Sequence, residues 1–207
     1  MIKIGKDKKL ILKKLLKYNT PSKVQDFLNT IPFNFEKEGE TYYSVCRALK
    51  EKKAHCFEGA LIAYFILAEN GYSPALLDLK VKTKRDSDHV VTLYKVNGLW
   101  GAVSKTNHAC LRFRDPIYKT VRELALSYFH EYFLNESGEK TLQSFSRAFY
   151  INEKKFDYIF GEEDLDDLAL ALDRSPHTPF YDQKQKKYIR KADKIERKAG
   201  EITDWSA

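Results

Sequence analysis

The run CFEGALIAYFILAEN at residues 56–70 is the feature that most constrains the fold of this chain. It is strongly apolar and long enough for about four turns of helix. Gly71 follows it and suits the left-handed residue that commonly ends a helix. A helix this apolar must be buried. The sequence therefore predicts a central helix with the other elements packed around it.

The pattern after this helix changes to that of strands. Residues 75–81 and 89–96 are rich in Leu and Val, with a charged turn between them. Asn97 and Gly98 tolerate the positive φ angles that a two-residue type I′ turn requires. Residues 99–106 would then form the returning strand of a hairpin. We expect an antiparallel sheet in this part of the chain.

The remaining patterns predict elements on either side of this core. They are helices at 8–17 and 22–28, a mixed helical pattern at 42–50, a third or edge strand at 111–114 ended by Asp115-Pro116, an aromatic-rich helix at 120–133, an amphipathic stretch at 142–149 and a helix from 162 to 172.

A length of 207 residues favours one domain. We place it at residues 1–181, with its core at about 20–116 and a polar, lysine-rich tail at 182–207. The expected class is α+β: a central helix packed on an antiparallel sheet, with extra N- and C-terminal helices.

Cys56 has the position of an activated thiol. It opens the predicted central helix, where unpaired backbone N–H groups and the helix dipole favour the thiolate. A two-residue turn pairs Val96 with Leu99, and counting outward sets His89 opposite Thr106. One face of the hairpin would then carry His89, Val91, Leu93, Trp100, Ala102, Ser104 and Thr106. We expect this face to pack on the central helix and to bring His89, with Ser104 as its diagonal neighbour, to the thiol.

The order and spacing of these features resemble the transglutaminase-like superfamily, which is related in design to papain-type proteases and arylamine acyltransferases. The similarity covers about residues 20–116. It rests on Cys56 opening a core helix, the step GYSPA from Gly71, and the strand that His89 opens, followed by a turn and Trp100. The resemblance implies that Cys56 is the nucleophile and His89 the general base and acid. It also implies an Asp four residues after the Trp to orient the His, but that position is Ser104.

The residue that orients His89 is left open between several candidates. Ser104 can hydrogen-bond to the imidazole but supplies no charge to stabilise an imidazolium. Asn107, just beyond the strand, could take the role that Asn has in papain-type enzymes. Asp88 or Asp115 would supply a carboxylate from elsewhere. We rank Ser104 and Asn107 level and Asp115 behind them.

Other titratable residues have simpler interpretations. We expect His55 to be a loop residue, with tuning of the adjacent Cys56 thiol as the less favoured alternative, and Cys46 and Cys110 to be structural. The remaining histidines lack metal-ligand spacing, so neither a metal nor an organic cofactor is expected. Three cysteines without close pairing favour a reducing compartment, and with no signal peptide or membrane span evident, we expect a cytoplasmic protein that does not bind membranes.

Three functions are compatible with the sequence. The first is a cysteine-dependent acyl-transfer enzyme (an amidase, protease or transamidase) acting on a peptide or protein. The alternative is an inactive transglutaminase-like domain that binds a peptide or protein. The third is an electrostatic adaptor that uses the lysine-rich ends of a chain with formal net charge +7. Nucleic-acid binding is not expected, because no stacking-aromatic or glycine-rich RNA signature accompanies the lysines.

Overall fold

The computed structural model describes residues 6–37 and 39–204 and has an α+β architecture. Within them, six strands form one antiparallel sheet in the order β4-β3-β2-β1-β5-β6. The strands are β1 Ala75–Val81, β2 His89–Val96, β3 Leu99–Val103, β4 Arg114–Tyr118, β5 Leu142–Ser146 and β6 His177–Pro179. The helices are α1 Lys6–Leu15, α2 Pro21–Asn29, α3 Val45–Glu51, α4 Cys56–Glu69, α5 Val121–Phe129, α6 Asp166–Asp173, α7 Gln183–Lys186 and α8 Lys194–Gly200.

Helix α4 is the central buried helix, as its composition predicted. All of residues 57–67 are buried, and the helix packs on β2, α2 and α3. Gly71 has a φ of +83°, the left-handed conformation expected just beyond the helix. An apolar helix with partners on several sides needs no polar face, which explains its uniform composition.

The β2–β3 hairpin has the predicted turn and register. Asn97 and Gly98 have φ angles of 50° and 83°, as a type I′ turn requires. Val96 pairs with Leu99, and the register continues to the pair of Thr92 with Val103. The strand β3 ends there, so residues 104–106 extend beyond the ladder.

The face of the hairpin that packs on α4 is not the one we predicted. Val91 and Leu93 belong to a core on the opposite side of the sheet, where α5 packs. Helix α4 instead contacts Val90 and Tyr94, and the Thr92 hydroxyl donates a hydrogen bond to a carbonyl of α4. Because helices cover both faces of the sheet, both faces of the hairpin are apolar and their pattern does not distinguish them.

The fourth strand runs through the residues that were expected to end it. Strand β4 spans Arg114–Tyr118 and so includes Asp115 and Pro116. Pro lacks the N–H of a ladder donor, yet β4 is the edge of the sheet and its pairing with β3 shifts register between Trp100 and Ala102. Edge position and irregular pairing are the two conditions under which a strand tolerates Pro.

The segment after residue 181 contacts the rest of the chain at several points. Ala192 is buried, and its N–H donates to the carbonyl of Gly138 at 2.8 Å. Near its end, the N–H of Asp204 donates to the carbonyl of Asn107 at 2.7 Å. Helices α7 and α8 both begin with capping boxes in which an Asp is the N-cap. None of the helices within the described ranges has the length and apolar character needed to cross a membrane.

Candidate active site

Cys56 is the first residue of α4, and His55 is the N-cap of that helix. The first backbone N–H groups of a helix have no intrahelical partners, and the helix dipole adds partial positive charge at this end. The Cys56 residue is partly exposed. Its thiol therefore has both access and a favourable electrostatic position.

An open groove of about 1590 Å³ passes the N-terminal end of α4. Cys56 and His89 both line it, together with Asn107, Cys110 and Tyr132. The groove is larger than the roughly 300–1,000 Å³ typical of small-molecule pockets. It has room for an extended ligand beside the thiol.

His89 and Ser104 lie together beside the thiol. His89 is the buried first residue of β2, and its interaction with the Cys56 thiol is one of the causes that lower the pKa of that thiol. His89 Nε2 and Ser104 Oγ share a hydrogen bond of 2.8 Å. The structure thus brings together three of the four predicted site residues, although the hairpin face next to His89 packs on α5.

The backbone of Ser104 is held by Gln25, a buried residue of α2. The Ser104 N–H donates to Gln25 Oε1 at 2.9 Å, and Gln25 Nε2 donates to the Ser104 carbonyl at 2.8 Å. Two hydrogen bonds from one side chain fix the position of this peptide unit. Gln25 therefore determines where the hydroxyl next to His89 lies.

A glycine of α4 allows the segment after β3 to pass directly over the first turn of the helix. A Cβ on Gly59 would lie 2.1 Å from the Cβ of Lys105, which is a severe clash. Gly within a helix costs about 1 kcal/mol relative to Ala, so a close approach of this kind explains its presence. The approach brings Ser104 toward the start of α4.

Asn107 and the two alternative carboxylates do not hydrogen-bond to His89 within the described ranges. Asn107 is buried in the wall of the groove, and its carbonyl accepts from the N–H of Asp204. Asp88 accepts from the N–H of Val81 at 2.7 Å. Asp115 lies on the edge strand. Of the candidates for orienting His89, Ser104 alone has the required contact in the structure as described.

His55 is a buried N-cap rather than the loop residue we expected. Its Nε2 lies 2.8 Å from the carbonyl of Thr41 and 3.1 Å from Glu36 Oε1. Its Nδ1 accepts from the N–H of Phe57 at 3.0 Å and lies 3.4 Å from Glu58 Oε2. The imidazole is therefore enclosed by oxygen atoms on both sides.

Glu58 completes this arrangement from within α4. Its side chain is fully buried and accepts hydrogen bonds from the N–H of His55 at 2.8 Å, the N–H of Tyr43 at 3.2 Å and the hydroxyl of Thr41 at 3.0 Å. Buried carboxylates persist only where they are well hydrogen-bonded and paired. Burial raises the pKa of Glu58, while His55 and these donors act in the opposite direction.

The two thiols of the groove differ in their expected ionisation. Burial acts to raise the pKa of the Cys56 thiol, but the hydrogen bonds and charges of His55 and His89 outweigh it and lower the pKa to about 5. Cys110 lines the same groove, and burial raises its pKa. The surroundings therefore favour the thiolate form at Cys56 and the thiol form at Cys110.

A cluster of carboxylates lies elsewhere in the groove. Asp78, Asp88 and Asp173 bring oxygen atoms within 4.8 Å of one another. Asp78 pairs with His177 at 3.1 Å, and Asp173 pairs with Lys80. Protein cations therefore already neutralise part of this cluster.

No family model matches the chain, and no curated protein matches its sequence. The residues around the groove are thus the basis for any functional conclusion.

Three residues of this site were not placed correctly from the sequence: His55, which was expected in a loop and only secondarily as a group that tunes the thiol, Glu58 and Gln25. For the first two a signal was present, because the sequence HCFE has a Glu three residues after the N-cap, as in a capping box. Gln25 is separated from Ser104 by 79 residues, and no local pattern connects them.

Proposed function

We propose that this protein is a cysteine-dependent acyl-transfer enzyme of transglutaminase-like, papain-related fold, with Cys56 as nucleophile and His89 as general base and acid. The observation that carries the proposal is the juxtaposition of His89 with a low-pKa thiol at the start of a helix. The α+β arrangement, with the Cys on the central helix and the His on a neighbouring strand, supports the fold assignment.

In the proposed reaction, the Cys56 thiolate attacks the carbonyl carbon of an amide or ester. A C–S bond forms, and the carbonyl oxygen takes up the negative charge. His89 carries the proton that it took from the Cys56 thiol, and it donates this proton to the leaving amine or alkoxide as the C–N or C–O bond breaks, which leaves a thioester. Water or an amine attacks the thioester, His89 accepts its proton, and Cys56 leaves as the thiolate. The product is an acid or a new amide.

Charge on the carbonyl oxygen would be stabilised at the N-terminus of α4. The backbone N–H of Cys56 and the dipole of this fourteen-residue helix provide positive potential at the sulfur. The imidazole Nε2 is engaged by Ser104, so Nδ1 is the nitrogen that exchanges the proton with the thiol. The Ser104 hydroxyl orients the ring without adding charge.

A peptide or protein is the substrate class that the groove supports best. Its volume of about 1590 Å³ and its open form suit an extended chain. Amidase, protease and transamidase activities share the same first half-reaction, and they differ in whether water or an amine resolves the thioester.

A non-catalytic, peptide-binding domain is the second candidate. The observation in its favour is that Ser104, a neutral residue, occupies the position next to His89 where the resemblance implies an Asp. In that case the groove would bind a ligand without turning it over.

Turnover of p-nitrophenyl acetate distinguishes the two candidates. We expect the parent protein to release many equivalents of p-nitrophenolate and to show acetylated Cys56 by mass spectrometry after an acid quench. Cys56→Ala should abolish both. Cys110→Ala removes the other thiol of the groove and should retain them. Release of a single equivalent without turnover, or equal loss in both variants, would favour the binding domain.

A further inference from the structure

Oxygen atoms approach both ring nitrogens of His55, although the Phe57 N–H also donates to Nδ1. Three oxygen acceptors approach its two nitrogens: the Thr41 carbonyl at 2.8 Å, Glu36 at 3.1 Å and Glu58 at 3.4 Å. A neutral imidazole has only one N–H to offer them, whereas an imidazolium has one for each side. The acceptors therefore favour the charged ring.

The burial of Glu58 strengthens this conclusion. Its side chain has no exposed surface, and that of His55 is only 9% exposed. A buried carboxylate without a cation is strongly unfavourable, and among the described residues this imidazole is the group that forms an ion pair with Glu58. The partly exposed Glu36 adds a second negative charge on the other side of the ring. Burial acts to lower the pKa of His55, but Cys56 and Glu36 outweigh it and raise the pKa to about 11.

The charged state has one cost within the cap of α4. In the structure, the Phe57 N–H donates to His55 Nδ1, which requires that this nitrogen carry no proton. Protonation replaces that bond by an N–H that faces Glu58 and the sulfur of Cys56. Free N–H groups are normal in the first turn of a helix, and one next to a thiolate is stabilised by it. The exchange is therefore small beside the gain of an ion pair.

The other histidine of the site has a neutral environment. His89 Nε2 shares its hydrogen bond with the Ser104 hydroxyl, and no carboxylate forms an ion pair with His89 within the described ranges. The Ser104 hydroxyl orients the ring without adding a charge beside it, so the contacts of His89 differ from those of His55.

We propose that His55, held between Glu36 and Glu58, is a permanent imidazolium that serves as the counter-ion of the Cys56 thiolate, while His89 moves the protons. This inference rests on the proposed function and divides its roles between two residues. The resemblance implies a carboxylate beside His89, where this chain has Ser104. In the proposed site, the carboxylates of Glu36 and Glu58 lie beside His55 instead.

Substitutions that keep the helix cap and change only the charge at position 55 test the proposal. Asn and Asp are both strong N-caps, so parent, His55→Asn and His55→Asp present a positive, a neutral and a negative group there. The measurement is the pH dependence of Cys56 alkylation by iodoacetamide, followed by mass spectrometry. Cys110 in the same molecule is the internal reference. Among the described residues, the ionisable groups that face the thiol and His55 in the parent are Glu36, Tyr42, Glu58, His89 and Tyr132, and the substitutions at position 55 leave all five in place.

We expect the pKa of Cys56 alkylation to rise by about two units in His55→Asn and further in His55→Asp, while Cys110 stays unchanged. Glu36→Gln should give a smaller rise, because it removes one of the two carboxylates and leaves the ring in place. This variant changes a partly exposed side chain and so tests the proposal even if position 55 proves essential for folding. A Cys56 pKa that is the same in parent, His55→Asn and Glu36→Gln would overturn the proposal.

His89→Ala separates this inference from the proposed function. A low Cys56 pKa that survives His89→Ala but not His55→Asn, with turnover of p-nitrophenyl acetate lost in His89→Ala, supports both. If the pKa depends on His55 and the parent has no turnover, the counter-ion is real and the proposed enzyme is wrong. If the pKa of Cys56 depends on His89 alone, the proposed enzyme stands and the proposed counter-ion role of His55 is wrong.

Discussion

The two histidines that flank Cys56 have opposite surroundings. His55 lies between two carboxylates and a carbonyl, whereas His89 contacts a hydroxyl whose own backbone is held by an amide side chain. The first environment stabilises a fixed charge, and the second fixes a position without fixing a charge. In the roles that we propose, the charge and the proton transfer of the thiol site come from two different residues, and this contrast in their surroundings is the basis for that division.

The largest effect that bears on this contrast is expected from His89→Ala. We expect turnover of p-nitrophenyl acetate to fall by about 10³-fold, because loss of a general acid and base typically costs 10²–10⁴-fold. The thiolate should remain, so alkylation of Cys56 at pH 6 should change far less than turnover. Comparing the two rates in one preparation checks this. Equal losses would mean that His89 also supplies the charge, and the contrast between the two histidines would fail.

A smaller effect is expected from Gln25→Leu, which removes the side chain that holds Ser104. Turnover should fall by about 10-fold to 100-fold, because a misplacement of about 1 Å at a reacting group has costs of this size. The pKa of Cys56 should stay close to that of the parent, since His55 is untouched. Steady-state turnover and alkylation together measure both. The matched control is Gln143→Leu on the exposed side of β5, which should change neither.

The smallest effect concerns His177, a histidine with a carboxylate partner but no thiol. The hydrogen bond that His177 Nε2 donates to Asp78 raises the pKa of His177, although burial acts against it. The pair therefore stabilises the fold fully below the unfolded pKa of about 6.5, and this contribution is lost as pH rises through the higher folded pKa. We expect the pair to contribute less than about 1 kcal/mol to the free energy of unfolding, because His177 is partly exposed.

Urea unfolding of the parent and of His177→Gln at pH 5.5 and pH 9 measures this contribution. The difference in stability between the two proteins should be larger at pH 5.5. The reverse order would show that His177 is neutral in the folded protein, and a carboxylate partner would then be a poor guide to the charge of His55.

Local signals made the central part of the fold predictable. The apolar run with Gly71 at its end gave helix α4, and Asn97-Gly98 gave the turn and register of the hairpin. Both depend on residues that are neighbours in the sequence. The same signals located Cys56 at the start of the helix and His89 at the start of its strand.

Contacts between distant residues made the rest unpredictable. Both faces of the hairpin are apolar, so the pattern did not tell which one meets α4 and which meets α5. Strand β4 runs through Pro116 because it is an edge strand, and edge position is a property of the whole sheet. In the sequence, Gln25 is one polar residue of an amphipathic helix, and only its contact with Ser104 in the structure reveals its role.

The sequence separations in the site imply an order of assembly during folding. His55 contacts residues that lie 3, 14 and 19 positions away in the sequence. The hydrogen bonds between Gln25 and Ser104 join residues that are 79 positions apart. Closing a short loop costs less entropy than closing a long one, and local contacts form earlier. During synthesis, the contacts around His55 could therefore form before the contact between Gln25 and Ser104, so the proposed counter-ion of Cys56 would be in place before the residue that positions His89.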